Sequence, residues 1–387
     1  VENEFQRFSL LGDPLHRLGK RLGLIRESDT VGFGVALGLF AWVVLVLPGL
    51  LRGEGPKIFS LTNLSIHVRL LFCIPLFFLC ETMVVPKMAL FVEGLARSAI
   101  IPIAEQPVLA ERIRRISRIR DSWLVEIALL LLAFILPLEK VVAQSQSTET
   151  GNWIAIFTKA WGHFNWFIDW YLWFCLPFFR FLILRWLLRL VLWWYFLWCV
   201  QRLKLQLIPT HPDGSAGLGY VEFVHEQFLP LALGISAVVS ASFAEKIFAA
   251  ETTLNALYGS IAVLLAIQGL LFIAPLLIFA PKLAARRVTG LAEYTNMASD
   301  YVTAFDKKWI RGENPSGESL LGSQDIQALA DLANGFNVVR KMRTVPVEKR
   351  LLIRIASGAV IPFLPLLLFE YPVVAIALKV VKALVGF

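Results

Sequence analysis

Turn chemistry is missing where it would matter most. From Phe164 to Leu207 the chain runs without a single glycine or serine, with one asparagine at its second position, Asn165, and with one proline, Pro177. A stretch that offers no turn cannot double back, so the absence excludes a hairpin and predicts one very long helix crossing once. Cysteine is scarce. Cys73, Cys80, Cys175 and Cys199 all sit inside apolar runs, which argues against a disulfide framework or a thiolate metal site and leaves them as small apolar fillers. Catalytic patterns are absent too: no P-loop, no dinucleotide-binding glycine fingerprint, no peptidase or kinase signature, no Ser/His/Asp arrangement. Neither a selectivity-filter signature nor a convincing inverted repeat is visible. The segment Glu2–Thr30 is basic and amphipathic and lacks the charged–apolar–small order of a secretory signal.

What is present is apolar surface. The 387 residues are 57% hydrophobic with a mean hydropathy of +0.67, against about 45–50% apolar for soluble domains. A net charge of +8 invites a nucleic-acid reading, but the lysines and arginines collect beside apolar spans, as membrane topology demands. Length and scarcity of charge place spans near 31–51, 65–85, 122–142, the Trp-rich stretch, 227–248, 260–280 and 351–370. The second carries Arg69 and Glu81, each interfacial or paired with another helix. The third carries Glu126 near its start.

Orientation follows from the basic residues. Five precede the first span (Arg7, Arg17, Lys20, Arg21, Arg26). Seven lie between the second and third (Lys87, Arg97, Arg112, Arg114, Arg115, Arg118, Arg120), and eleven between Lys282 and Arg350. The alternate loops are poor: Arg52 and Lys57, then Lys159, then none in 249–259. The positive-inside rule therefore puts the N-terminus in the cytoplasm of a bacterium, with the inner membrane as host. A helix of all 44 residues of the Trp-rich block would run about 66 Å, against a hydrocarbon core of about 30 Å. That demands a steep tilt or an excursion out of the core, with Pro177 as the kink.

The expected architecture is all-α. A polytopic bundle of about seven spans carries a small cytoplasmic helical part. Residues 1–30 form an amphipathic lead. Residues 31–281 hold the first six spans, with an inserted pair of helices over 86–121 separated near Pro102 and Pro107. In that insertion Arg112, Arg115 and Arg118 at three-residue spacing line a helix along the anionic inner leaflet. Residues 282–350 form an α-hairpin. Its second helix, 324–342, is capped by Ser323 and striped by Ile326, Leu329, Ala333 and Phe336. Residues 351–387 supply the last span and an interfacial helix carrying Lys379 and Lys382.

Two blocks, LQLIPTHPDGSAGLG (205–219) and DIQALADLANGFNVVRKMRTVP (325–346), together with the RWLLR run, resemble a family of bacterial multi-pass inner-membrane proteins with a THPDxxxGLG loop. The resemblance implies a bacterial membrane home and transfers no catalytic residue and no ligand.

Three functions compete. An oligomeric channel or passive transporter would line its path with Ser236, Ser240 and Gln268, with Glu245 and Lys246 at the outer mouth. Arg185 and Arg189, four apart on one face, would stand at the inner mouth or meet lipid phosphate, with Glu126 as ion-pair partner. A non-catalytic assembly or signalling subunit would recruit a cytoplasmic protein through the hairpin stripe. A membrane-embedded enzyme acting on a lipid phosphate would use the His211–Asp213 loop, whose glycines hint at a phosphate cradle. His211, Asp213, Glu222 and His225 are its candidate metal ligands. The expected partners are membrane lipids and further copies of the chain. Nucleic acid and resident cofactors are not expected.

Overall fold

The computed structural model describes residues 14–21, 23, 30–53, 55–135, 170–312, 319 and 323–370. Among them the chain is helical with no strand. In chain order the main helices are α1 (Pro14–Arg21), α2 (Val31–Leu51), α3 (Ile74–Arg97), α4 (Gln106–Arg120), α5 (Trp123–Ile135), α6 (Leu176–Arg202), α7 (Tyr220–Glu226), α8 (Leu229–Phe248), α9 (Leu254–Phe272), α10 (Ala280–Phe305), α11 (Gln324–Lys341) and α12 (Lys349–Val360). Five runs among the described residues are long and apolar enough to cross a membrane: Val31–Leu51, Leu61–Arg97, Tyr220–Phe248, Leu254–Phe272 and Lys349–Glu370. Trp123–Ile135 is a shorter apolar helix. The expected outer helix at the C-terminus, the loop 144–163 and most of the N-terminal lead lie outside the described residues.

The Trp-rich block departs from expectation. Its helix α6 has 27 residues and ends at Arg202, where Leu203 turns to extended backbone (φ −73°, ψ 159°). Tertiary partners take over from the helical ladder there: the Lys282 ammonium donates to the Leu203 carbonyl, and the Gln206 amide donates to Ile100 O at 2.8 Å. A helix of that length spans about 40 Å, shorter than the expected rod but still longer than a hydrocarbon core of about 30 Å. Pro177, the expected kink, marks a local change of helical pitch. It lies in the first turn of α6, directly after a π-turn at Tyr171–Cys175. The same pairing recurs at Pro75, after the π-turn Val68–Cys73. A proline ring clashes with the carbonyl four residues back, and the wider turn relieves that clash.

The inserted segment also differs. Helix α3 runs unbroken through Pro86 to Arg97, so its first half belongs to the second apolar run. The break falls at Ser98 and Ala99, the latter with φ +54°. Pro107 sits inside the first turn of α4, where no N–H is needed. Helix α9 ends at Phe272, ahead of Pro275, and a 3₁₀ stretch Ala274–Phe279 leads into α10. The carbonyls left at that end are claimed from neighbouring elements. Trp194 Nε1 donates to Leu271 O at 3.2 Å, and His225 Nδ1 meets Phe272 O at 2.6 Å.

One apolar core joins α2, α3, α4, α6 and α8. Rings connect its layers: Phe91 meets Trp193 edge-on at 6.0 Å, Trp193 stacks on Phe196 at 5.4 Å, and Phe228 links Trp186 to Phe272. Glycines on one side of α2 allow close approach to the second apolar run. A Cβ on Gly38 would lie 2.4 Å from Leu70 O, and one on Gly34 would meet Phe78 at 2.6 Å. Helices α10 and α11 pack as the expected hairpin, with Ser323 Oγ accepting from the Asp325 amide at 3.1 Å. Its stripe is only partly covered: Leu329 and Phe336 are half-buried, whereas Ile326 and Ala333 are exposed.

Gly38→Ala pushes a methyl into backbone that cannot swing aside. It is expected to lower stability by about 1–3 kcal/mol in reversible detergent unfolding. Gly94→Ala, where a Cβ meets open space, is expected to leave the unfolding midpoint unchanged or raise it slightly.

Candidate functional site: buried charge locks and a clamped loop

A carboxylate inside an apolar bundle must meet its counter-charge there, because no water reaches it. Glu81 is 2% exposed and lies on the inward face of α3. Arg189 Nη1 stands 2.5 Å from its Oε1 and Arg185 Nη1 3.5 Å from the same atom. The Arg189 guanidinium also sits over the Trp186 ring, 5.3 Å from its centroid. The two arginines share a helix face, as their spacing predicts. They are 4% exposed, so the expectation that they snorkel to an inner mouth or lipid headgroup is corrected. Glu126, the partner named from sequence, stands on α5, which packs along α6. Glu81, read from sequence as interfacial or paired with another helix, is placed by the structure against both arginines. A small pocket lined by Val84, Val85, Met88, Trp186, Arg189 and Phe228 borders this lock.

The small-sided face of α8 serves packing. Gln268 Nε2 donates to Ser236 Oγ at 2.8 Å. Ser240 Oγ donates to Pro362 O at 2.6 Å. Glu245 Oε1 accepts from the Ser65 amide at 2.6 Å. Arg69 donates to Ser65 Oγ at 3.1 Å, to Ser242 Oγ at 3.2 Å and to the Tyr171 hydroxyl. Lys246 is exposed. Ser236, Ser240 and Gln268 are buried and face neighbouring helices. Their polar atoms join one helix to the next.

The loop after α6 is built around Asp213. Its Oδ1 accepts from the amides of Ser215 (2.8 Å) and Gly217 (3.1 Å), and its Oδ2 from Gly219 (2.7 Å). Gly214 and Gly217 make this possible with φ +64° and +98°. His211 Nδ1 lies 2.9 Å from Oδ1. Burial pushes the Asp213 carboxyl up, but the three amides and His211 outweigh it and hold the group below its ordinary value. The cradle the glycines hinted at therefore exists, and the chain's own carboxylate fills it. Phosphate would find those amides already engaged.

Arg343 clamps this loop to the foot of the hairpin. It donates to Asp213 O at 2.8 Å and to Glu222 Oε2 at 3.2 Å, and its own amide bonds Gly214 O at 2.8 Å. Glu222 Oε1 accepts from the Glu348 amide. Next along α7, Glu226 pairs with Arg354 (2.6 Å) and Arg350 (3.2 Å). From α10, Arg286 donates to Leu207 O at 2.9 Å, and Pro209 fits against Gly290. Sequence reasoning passed over Arg343, Arg354 and Arg286. Arg343 and Arg286 read as ordinary cytoplasmic charge, Arg354 fell within the expected last span, and no local spacing ties them to a loop so far back in the chain.

The metal reading is corrected on donor geometry. Trp193 Nε1 donates to His225 Nε2 at 3.0 Å while His225 Nδ1 meets the Phe272 carbonyl. The ring is therefore the neutral Nδ1–H tautomer with both nitrogens engaged. Glu222 turns toward Arg343, and His211 and Asp213 face each other in the loop. No cluster of three or more His, Cys, Asp or Glu suited to a metal forms among the described residues.

Two outcomes follow from this geometry. Glu81→Gln leaves two guanidinium groups in an apolar bundle with their carboxylate removed, and is expected to cost about 3–5 kcal/mol in detergent unfolding. Because the folded pKa of Asp213 is depressed, its contribution is complete above the unfolded value of about 3.9 and is lost as pH falls below it. The protection of the Ser215, Gly217 and Gly219 amides from hydrogen exchange, taken relative to the intrinsic rate at each pH, is expected to fall on acidification through that range, and in Asp213→Ala at neutral pH. No known family, curated protein or solved structure matches the chain, and the reading of the site rests on its geometry.

Proposed function

We propose that this chain is a multi-pass protein of the bacterial inner membrane that acts as a non-catalytic assembly subunit, presenting α10 and α11 to a soluble helical partner in the cytoplasm. Its seven crossings are α2, the run ending in α3, α5, α6, the run of α7 and α8, α9, and the run beginning with α12. The N-terminus and the hairpin share the cytoplasmic side, in keeping with the basic residues between Lys282 and Arg350.

One observation carries the reading. Between Val288 and Ala304 the exposed face of α10 holds only two charged side chains, Glu293 and Asp300. The rest is Val288, Thr289, Ala292, Thr295, Asn296, Met297, Ser299, Val302, Thr303 and Ala304. Helix α11 continues this character with exposed Ile326, Ala330, Ala333 and Val338. A helix pair that ends its life in water carries more charge than this. Small and apolar side chains suit close approach of another helix. The Arg343 clamp and the Arg287 bond to Arg340 O (2.8 Å) hold the pair firmly on its base. Transport draws no comparable support, since the serines and Gln268 that would line a path are bonded between helices.

A photo-crosslinking residue at Val302 in intact cells is expected to give one discrete adduct, lost in the Val288→Asp/Ile326→Asp variant while the protein stays folded. Absence of any adduct, or solute flux through the purified chain in proteoliposomes, would overturn the assembly reading.

A further inference from the structure

Independently of the hairpin, we propose that the face shared by α4 and the last turns of α6 binds the headgroup of an anionic phospholipid. Tyr195, Trp198, Cys199 and Arg202 fall on one side of α6 at helical spacing. The Arg202 guanidinium lies over the Trp198 ring at 4.8 Å, and Trp198 stacks with Tyr195 at 6.0 Å. From α4, Arg112 donates to the Tyr195 hydroxyl at 3.2 Å. Arg202 thus lies on an indole that is 41% exposed, and Arg112 reaches the tyrosine stacked beside it from a helix packed along α6. Arg115, Arg118 and Arg202 are themselves exposed.

Acidic groups do not neutralise this face. The stretch Val191–Arg202 of α6 contains none. Glu111 of α4 lies beside Arg114 at 3.6 Å, and Asp121 is paired with Arg120 at 2.7 Å. A phosphodiester, whose two charged non-bridging oxygens can accept from several planar guanidinium forks, is the complementary ligand.

The surroundings select a lipid over a free phosphate. Directly after Asp121 the apolar helix α5 begins, with Trp123 62% and Leu124 80% exposed. Exposed tryptophans beside arginines, at the point where an apolar helix starts, mark the level of headgroups. Ile119, also exposed, adds apolar surface for an acyl chain at the same edge.

The full chain, purified in a neutral detergent, tests this by thermal unfolding and native mass spectrometry with added short-chain phosphatidylglycerol, phosphatidylcholine or inorganic phosphate. Phosphatidylglycerol is expected to raise Tm and to remain bound; the other two are not. Arg115→Gln/Arg202→Gln is expected to weaken the half-saturating phosphatidylglycerol concentration about thirty-fold. Arg115→Lys/Arg202→Lys keeps it within a few-fold. If the double glutamine variant does not fold, the single exposed change Arg115→Gln carries the same reading at about fivefold. Equal shifts with phosphatidylcholine, a matching shift with inorganic phosphate alone, no shift at all, or a glutamine variant indistinguishable from the parent would each overturn the proposal.

Discussion

Inside an apolar bundle, a polar group that is not bonded to the protein is bonded to nothing. That constraint organises this structure more than any single packing contact. Glu81 meets Arg185 and Arg189, Gln268 meets Ser236, His225 sits between Trp193 and a helix-end carbonyl, and Arg69 gathers two serines and a tyrosine. All but the Arg69–Ser65 bond join elements distant in sequence. The polar minority thus does for this bundle what the hydrophobic effect does in water, since apolar helices gain little from one another in lipid. It fixes which face of each helix turns inward.

The same economy shapes the region between α6 and α7. A chain leaving a helix exposes carbonyls and amides that need partners. Here Lys282, Arg286 and Arg343 supply donors from one side, and the Asp213 carboxylate gathers three amides from within. The consequence is mechanical. The foot of the α10–α11 hairpin and the start of α12 are tied to the end of α6 through one short loop. A displacement of the hairpin would have to break charge-assisted bonds to Glu222 and Glu226 before it reached the bundle. A mounting of this kind favours presentation over gating.

Much of the fold was legible because its causes are local. Apolar runs marked the helices and Ser323 announced the cap of α11, whereas the change between α9 and α10 at Pro275 fell inside the expected sixth span. The mistakes were also local reasoning extended too far. A block without turn residues was expected to stay helical through Leu207, yet Lys282 and Ile100 offered its backbone better partners after Arg202. Serines on α8 were compatible with close helix packing or with a water-filled path, and the glycines after Asp213 with a structural turn or a phosphate cradle. In both cases the group that satisfied them lay within the chain, where residue type alone could not reveal it.

By itself, then, the sequence determined the helical class, the approximate position of the long apolar runs, and the serine cap of α11. These follow from periodicity and backbone chemistry within a few residues. Only the tertiary structure decided that Glu81 answers Arg185 and Arg189, that the small residues of α8 bond to their neighbours, and that Asp213 fills its own nest. Such pairings depend on the depth and rotation of one helix against another. Close approaches such as Gly38 on Leu70 and Gly358 on Leu229 set those relations, and they are a property of surfaces meeting, invisible along a single strand of residues.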